Sequence, residues 1–245
     1  MLKYILLGII QGLTEFFPVS SSAHLVIAQK LMGLQGEEIA ISVVLHLGTV
    51  LALLVFFFKD ILKLLRDVRS MALIAVVTVI TGAIGVLGKD FFESLFSTTK
   101  PVGIALLITG VILIFTRFVQ PKRDKLNLKD ALILGLTQGI AIIPGISRSG
   151  MTISTLLFRK IDRETCFKFS FLASIPIILG AALFEAKKIG FALQGDAKDH
   201  MVGFAFSFLS GLAALALLKV ALKKAKFYYF GFYCIIAGVI TLLFI

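Results

Sequence analysis

Six stretches of the chain, 39–58, 71–88, 101–115, 169–184, 201–218 and 227–245, are almost continuously apolar. A helix that crosses the hydrocarbon core of a bilayer needs about 20 such residues. Only helices and closed barrels cross at all, because every backbone N–H and C=O must find a partner without water. The stretches 101–115 and 169–184 are short and are expected to extend a turn into flanking polar residues. Two further apolar regions break the pattern. Residues 1–32 run apolar, then Thr14 and Glu15, then Pro18 and three serines, then apolar again. Residues 131–158 repeat that layout around Pro144, Gly145, Ser147, Arg148 and Ser149. Each piece is too short to cross. Paired short apolar helices broken by Gly, Pro and Ser predict re-entrant hairpins that dip in and return.

Composition agrees. With 58% hydrophobic and 16% charged residues, and a mean hydropathy of +1.01, the chain has too little polar surface to coat a water-facing globule. This argues against a soluble enzyme and against a disordered chain. A net charge of +11 would suggest nucleic acid in a soluble protein; here its meaning depends on where the charges sit. Cys166 and Cys234 show neither metal-ligand spacing nor a disulfide framework and are read as bystanders. Lys3, an apolar run and Ser21, Ser22, Ala23 imitate a secretory signal. The same layout recurs in mid-chain, where no signal can be, so residues 1–32 are read as mature structure.

The chain repeats itself at an offset of 127 residues. Gly8 falls on Gly135, Gln11 on Gln138, Gly12 on Gly139, Ser20 on Ser147 and Ser22 on Ser149, with Ser21 against Arg148 and His24 against Met151. The glycine pairs permit close helix approach. Each half, 1–118 and 128–245, then continues with three spans. Three is odd, so the second half starts on the opposite side and the repeats are inverted. The predicted fold is an all-α integral membrane protein with an inverted-topology repeat, each half a re-entrant helical hairpin plus three transmembrane helices. Under that topology 17 of the 25 basic residues fall on one side and seven on the other, with Arg148 left over in the second hairpin. The positive-inside rule makes the crowded side cytoplasmic. Both termini then lie outside, the first hairpin opens outward, the second opens inward, and their tips meet near the midplane.

Polar side chains at membrane depth are costly and mark function. The first hairpin holds Gln11, Thr14, Glu15, Ser20, Ser21, Ser22 and His24; the second holds Gln138, Ser147, Arg148, Ser149 and Thr152. Gln11 and Glu15 share a helix face. Helices starting at the serine runs would aim free N–H groups at one point, and with the Arg148 guanidinium would make a site suited to phosphate. Glu15 adds an acid/base or a ligand for a hard divalent cation, Mg²⁺ or Ca²⁺. Ser21 and His24, three apart, have the spacing of a nucleophile and its base. The plainer readings stay open at this stage: the serines as simple helix caps, and Arg148 paired with Glu15 as a structural bridge. His46, inside the first span, is expected to make an interhelical hydrogen bond, and His200 is placed in an outer loop. The basic loops are read as topology signals and lipid-headgroup contacts, without nucleic acid as a partner.

The run from Gln11 through Thr14, Glu15, Pro18, Ser20, Ser21 and Ser22 to His24 resembles the first signature of the bacterial undecaprenyl-diphosphate phosphatases, the bacitracin-resistance protein family. The run from Pro144 through Ser147, Arg148 and Ser149 to Thr152 resembles the second. The resemblance covers essentially the whole chain. It implies hydrolysis of the terminal phosphate of undecaprenyl diphosphate at the outer face of the bacterial inner membrane, recycling the carrier lipid of peptidoglycan synthesis and conferring bacitracin resistance. It implies a divalent cation held by Glu15, a serine nucleophile at Ser21, an acid/base at His24 and a phosphate clamp at Arg148. Gln11, Thr14, Ser20, Ser22, Ser147, Ser149 and Thr152 would line the substrate. Many members carry Glu where this chain has Gln11, and an amide can ligate a metal but cannot act as a base. Inverted repeats also suit a transporter or flippase of undecaprenyl phosphate, and a homodimer is compatible with either.

Overall fold

In the computed structural model the described residues are 1–32, 38–95, 99–188 and 196–244, with the side chains of 29–32, 38–40, 185, 186 and 188 outside the description. The side chains of Lys30 and Lys188, and residue Ile245, which belong to the sequence-based assignments, therefore lie outside the described residues. Among the described residues there are twelve α-helices: α1 Leu2–Phe16, α2 Ser21–Met32, α3 Glu38–Phe56, α4 Phe58–Leu64, α5 Val68–Leu87, α6 Lys89–Leu95, α7 Thr99–Phe115, α8 Leu128–Ile140, α9 Arg148–Phe158, α10 Arg163–Lys188, α11 Ala197–Lys223 and α12 Tyr229–Phe244.

Among the described residues, four helical stretches are long and apolar enough to cross a membrane: Val68–Leu87, Thr99–Phe118, Arg163–Phe184 and Ala197–Lys223. Two of these are the segments read as short in the sequence, and they extend into polar flanks as expected. The first expected span is bent. Ile41–Phe56 and Phe58–Leu64 meet at 71°, around a Phe57 that is only 1% exposed. The turn comes where Lys59, Asp60 and Lys63 begin, and α4 buries none of its residues. Apolar chain stays in the bundle while the charged continuation leaves it. The last expected span is a 16-residue apolar helix, shorter than a full crossing. Val79, Val86 and Leu87 of α5 are 70–88% exposed, as a face turned to acyl chains should be. The chain is thus a multi-pass helical membrane protein.

Both expected hairpins form, α1 against α2 and α8 against α9. Small residues set the helix contacts. A Cβ on Gly8 would stand 2.5 Å from the Gly203 carbonyl oxygen, and one on Gly12 would run into Ser210 Oγ, so α1 lies directly on α11. Gly135 and Gly139 hold α8 against Ile80 and Ile84 of α5 in the same way. α7 and α12 approach at two glycine pairs, Gly103 with Gly238 and Gly110 with Gly231. The order of these contacts makes α1 parallel to α11, α8 parallel to α5, and α7 antiparallel to α12. Lipid tails compete equally for apolar surface, so close van der Waals approach, rather than apolar burial, drives such pairing.

The foot of the second hairpin is clasped by charge. Asp130, fully buried, accepts two bonds of 2.7 Å from Arg123, which precedes α8, and one of 2.8 Å from Arg159, which follows α9. Asn127 and Asp130 complete a capping box at the start of α8. Burial opposes the charged carboxylate, but the hydrogen bonds from Arg123, Arg159 and the Asn127 backbone outweigh it and hold Asp130 at about 2. His200 is not in a loop: it sits in the first turn of α11, buried with its ring edge-on to Tyr4.

Candidate active site

The two hairpin tips interlock. Ser20, at the start of α2, has φ of 68°, a left-handed conformation that costs a non-glycine residue of order 1 kcal/mol or more. That conformation lets its Oγ accept from Gly145 N–H of the other tip at 3.2 Å and from Ala23 N–H at 3.4 Å. In return Ser149 Oγ donates to the Phe17 carbonyl at 3.3 Å. Ser147 caps α9, accepting from Gly150 N–H at 3.1 Å, while its own N–H donates to Thr109 Oγ1 on α7 at 3.2 Å. Gly145, with φ of 96°, sits where a Cβ would strike Val102 and Ala105 of α7. Thr152 shares a 2.5 Å hydrogen bond with Ser170 of α10 and donates to the Arg148 carbonyl. These hydroxyls fix the tips to each other and to the surrounding helices.

Glu15 is the centre of the arrangement, 6% exposed. Its Oε2 accepts from Ser21 Oγ at 2.6 Å and from Gln11 Nε2 at 3.2 Å. Its Oε1 accepts from Arg148 Nη2, reached across 133 residues of sequence. His46 Nε2 stands 3.9 Å from Oε2, and its Nδ1–H donates to the Ser42 carbonyl at 2.8 Å. One carboxylate thus meets a hydroxyl, an amide, a guanidinium and an imidazole. Gln11 Oε1, wholly buried, has no hydrogen-bond partner among the described residues. A buried orphan acceptor beside a carboxylate is the kind of oxygen pair a hard cation takes up, with water and substrate completing its shell.

The structure therefore brings Gln11, Glu15, Ser21 and Arg148 together. It places Ser20, Ser147, Ser149 and Thr152 in the scaffold behind them. Ser22 bonds Ser20 Oγ at 3.1 Å. Thr14 donates to the Ile10 carbonyl of its own helix. His24 is bonded elsewhere than to Ser21: its Nδ1–H donates to the Ser20 carbonyl at 2.8 Å, and its Nε2 meets Tyr233 Oη at 2.7 Å. Three neighbours were not legible as site residues. Thr109 and Tyr233 lie in spans that look like plain lipid-facing helix, and only tertiary packing turns them inward. His46 carried a signal, an imidazole inside a span, but no spacing linked it to Glu15.

Arg148 and Glu15 form the structural bridge that one sequence reading foresaw. A bridge with one acceptor and one donor where the two hairpin tips meet is also poised for an anion, which can take the guanidinium away from the carboxylate.

Comparison with known proteins agrees with the signatures. The family model for the bacitracin resistance protein BacA matches residues 4–240. The undecaprenyl-diphosphatase of Halothermothrix orenii is 41% identical over 253 residues, covering 98% of this chain and 96% of that protein. That of Alkaliphilus metalliredigens is 42% identical over 268 residues, covering 99% and 98%. That of Carboxydothermus hydrogenoformans is 42% identical over 247 residues, covering 97% and 95%. With matches of this length on top of the two hairpin signatures and the carboxylate they enclose, the chain belongs to the bacitracin resistance protein BacA family.

Proposed function

We propose that this chain hydrolyses undecaprenyl diphosphate to undecaprenyl phosphate and inorganic phosphate, recycling the peptidoglycan carrier lipid and conferring bacitracin resistance. The observation that carries the site assignment is the single Glu15 carboxylate shared by Ser21 and Arg148. A diphosphate arriving at the tips competes for the guanidinium, because phosphate oxygens accept its planar fork bidentately. Glu15 then loses its counter-charge and becomes a stronger acceptor for the Ser21 proton that it already holds at 2.6 Å. Ser21 Oγ attacks the terminal phosphorus as its proton passes to Glu15, the bridging phosphorus–oxygen bond breaks and undecaprenyl phosphate leaves with the electron pair, while Arg148 and the N-terminus of α9 neutralise the transferring group. Phosphoryl transfer needs little beyond this positioning and charge. The isoprenoid lies in lipid beside the helices.

Gln11 and Glu15 fit a divalent cation, as two hard oxygen donors, one of them an unpartnered buried acceptor. When bound, such an ion supplies further neutralisation of the diphosphate charge.

The helix directions support inverted halves. α1 parallel to α11 and α8 parallel to α5 are the same contact seen from opposite sides, and antiparallel α7 and α12 are the equivalent third spans. With the basic loops inside, the first hairpin opens outward, the termini are external and catalysis occurs at the outer face.

The test is phosphate release from undecaprenyl diphosphate by the purified chain in detergent. Steady release that Glu15→Gln abolishes is expected. Retention of wild-type turnover by that variant would overturn the site.

A further inference from the structure

One face of α12 cradles the first hairpin tip. Phe230 packs on Phe17 with ring centroids 5.2 Å apart. Tyr233 meets His24, Cys234 Sγ donates to the Pro18 carbonyl at 3.4 Å, and Ala237 packs against the cluster containing Ala23. Positions i, i+3, i+4 and i+7 form one helical stripe, and this stripe follows the tip from residue 17 to residue 24. Within it, Tyr233 makes the one contact to an imidazole. Its ring stacks on His24 at 12° between planes and 5.7 Å between centroids.

The two hydrogen bonds of His24 fix its chemistry. Ser20 O can only accept, so the proton sits on Nδ1. Nε2 of the neutral ring is then an acceptor, and the Tyr233 hydroxyl donates to it at 2.7 Å. Meanwhile Ser21 donates its hydrogen bond to Glu15, so Nε2 is not needed to activate the serine. Tyr233 is 48% exposed, so its hydroxyl can yield to water without opening the core.

We propose that Tyr233 is the positioning residue of His24, holding the ring from the opposite half of the chain, while the Ser20 carbonyl sets its tautomer, with the Nε2 lone pair turned to the exposed side, ready to act as base for the hydrolytic water. The inference rests on the hydrolase reading above. A water that replaces the Tyr233 hydroxyl gives its proton to Nε2 as its oxygen bonds to phosphorus. The opposite phosphorus–oxygen bond breaks, its electron pair leaving on Ser21 Oγ, which regains the proton held by Glu15. Tyr233 itself touches no reacting atom.

The test uses full-length protein with Tyr233→Phe, which keeps the ring and removes only the hydroxyl. Activity is read as kcat and KM for undecaprenyl diphosphate, and His24 by ¹⁵N NMR of imidazole-labelled protein. The chain has only three histidines, so His46→Gln and His200→Gln leave the His24 signals alone. The expected result is a kcat lower by about 10- to 100-fold at unchanged KM, together with a shift of the His24 Nε2 signal toward that of an unbonded ring nitrogen while Nδ1 stays protonated. Tyr233→Trp, which restores an N–H donor, recovers part of both. Wild-type kcat in Tyr233→Phe, or an unchanged Nε2 signal, would overturn the proposal. Wild-type protein that releases no phosphate would instead overturn the hydrolase reading, and the NMR result would still decide whether Tyr233 holds Nε2.

Discussion

Ser21 and Arg148 occupy equivalent positions of the two repeats, 127 residues apart, and both donate to the same carboxylate, Ser21 to Glu15 Oε2 and Arg148 to Glu15 Oε1. The repeat thus places two different chemistries, a hydroxyl and a guanidinium, on the two sides of one acid. The position 127 residues after Glu15 is Ile142, so the second hairpin offers no matching acid and the site is asymmetric.

Ser21→Ala removes the hydroxyl held by Glu15. Phosphate release is expected to fall by about 10³-fold or more, since no other hydroxyl donates to that carboxylate among the described residues. Steady-state turnover measures this. A rate within a few-fold of wild type would reduce Ser21 to positioning and leave water as the direct attacker.

Arg148→Ala should lower kcat by about 10²- to 10³-fold, the range for deleting one transition-state charge donor. Arg148→Lys should recover only part of it, because a lysine cannot form the planar fork. Both variants should show the loss in kcat more than in KM. A loss confined to KM would mean that the guanidinium binds substrate and transition state equally.

Gln11→Glu replaces an unpartnered amide oxygen with a second carboxylate four residues from Glu15, on the same helix face. The concentration of Mg²⁺ or Ca²⁺ giving half-maximal activity is expected to drop several-fold. An unchanged activation curve would mean that Gln11 is not a ligand.

Asp130→Asn leaves Arg123 and Arg159 facing a neutral amide at the foot of the second hairpin. The cost is expected to be about 3 kcal/mol, read as a lower Tm in detergent. The wild-type clasp should also titrate. The carboxyl is held at about 2 against 3.8 for the free group, so its contribution is fully present above pH 3.8 and lost as pH falls through 2. The Tm difference between wild type and Asp130→Asn should therefore shrink on acidification through that window. A difference constant with pH would show that the ion pairs are not its source.

The hairpins, the repeat and the chemical residues were legible because each leaves a local mark. Short apolar runs interrupted by Pro, Gly and Ser mark paired short helices, and a charge such as Arg148 in such a run is costly unless it is partnered. The bend at Phe57 was less legible, since hydropathy runs smoothly through residues 39–58. The expected pairing of Ser21 with His24 rested on spacing alone. In the folded chain Glu15 takes the serine, because α1 and α2 lie side by side and put residue 15 against residue 21.

The sequence by itself determined that the chain is an all-helical, multi-pass membrane protein and marked the polar residues set in its apolar stretches, because hydropathy, helix-breaking residues and charge are properties of short windows. Only the tertiary structure decided who meets whom. Arg148 reaches Glu15 from 133 residues away and Tyr233 reaches His24 from 209. Those meetings follow from glycine-lined helix contacts and interlocked tips, whose geometry depends on the whole bundle and leaves no periodic trace in the chain.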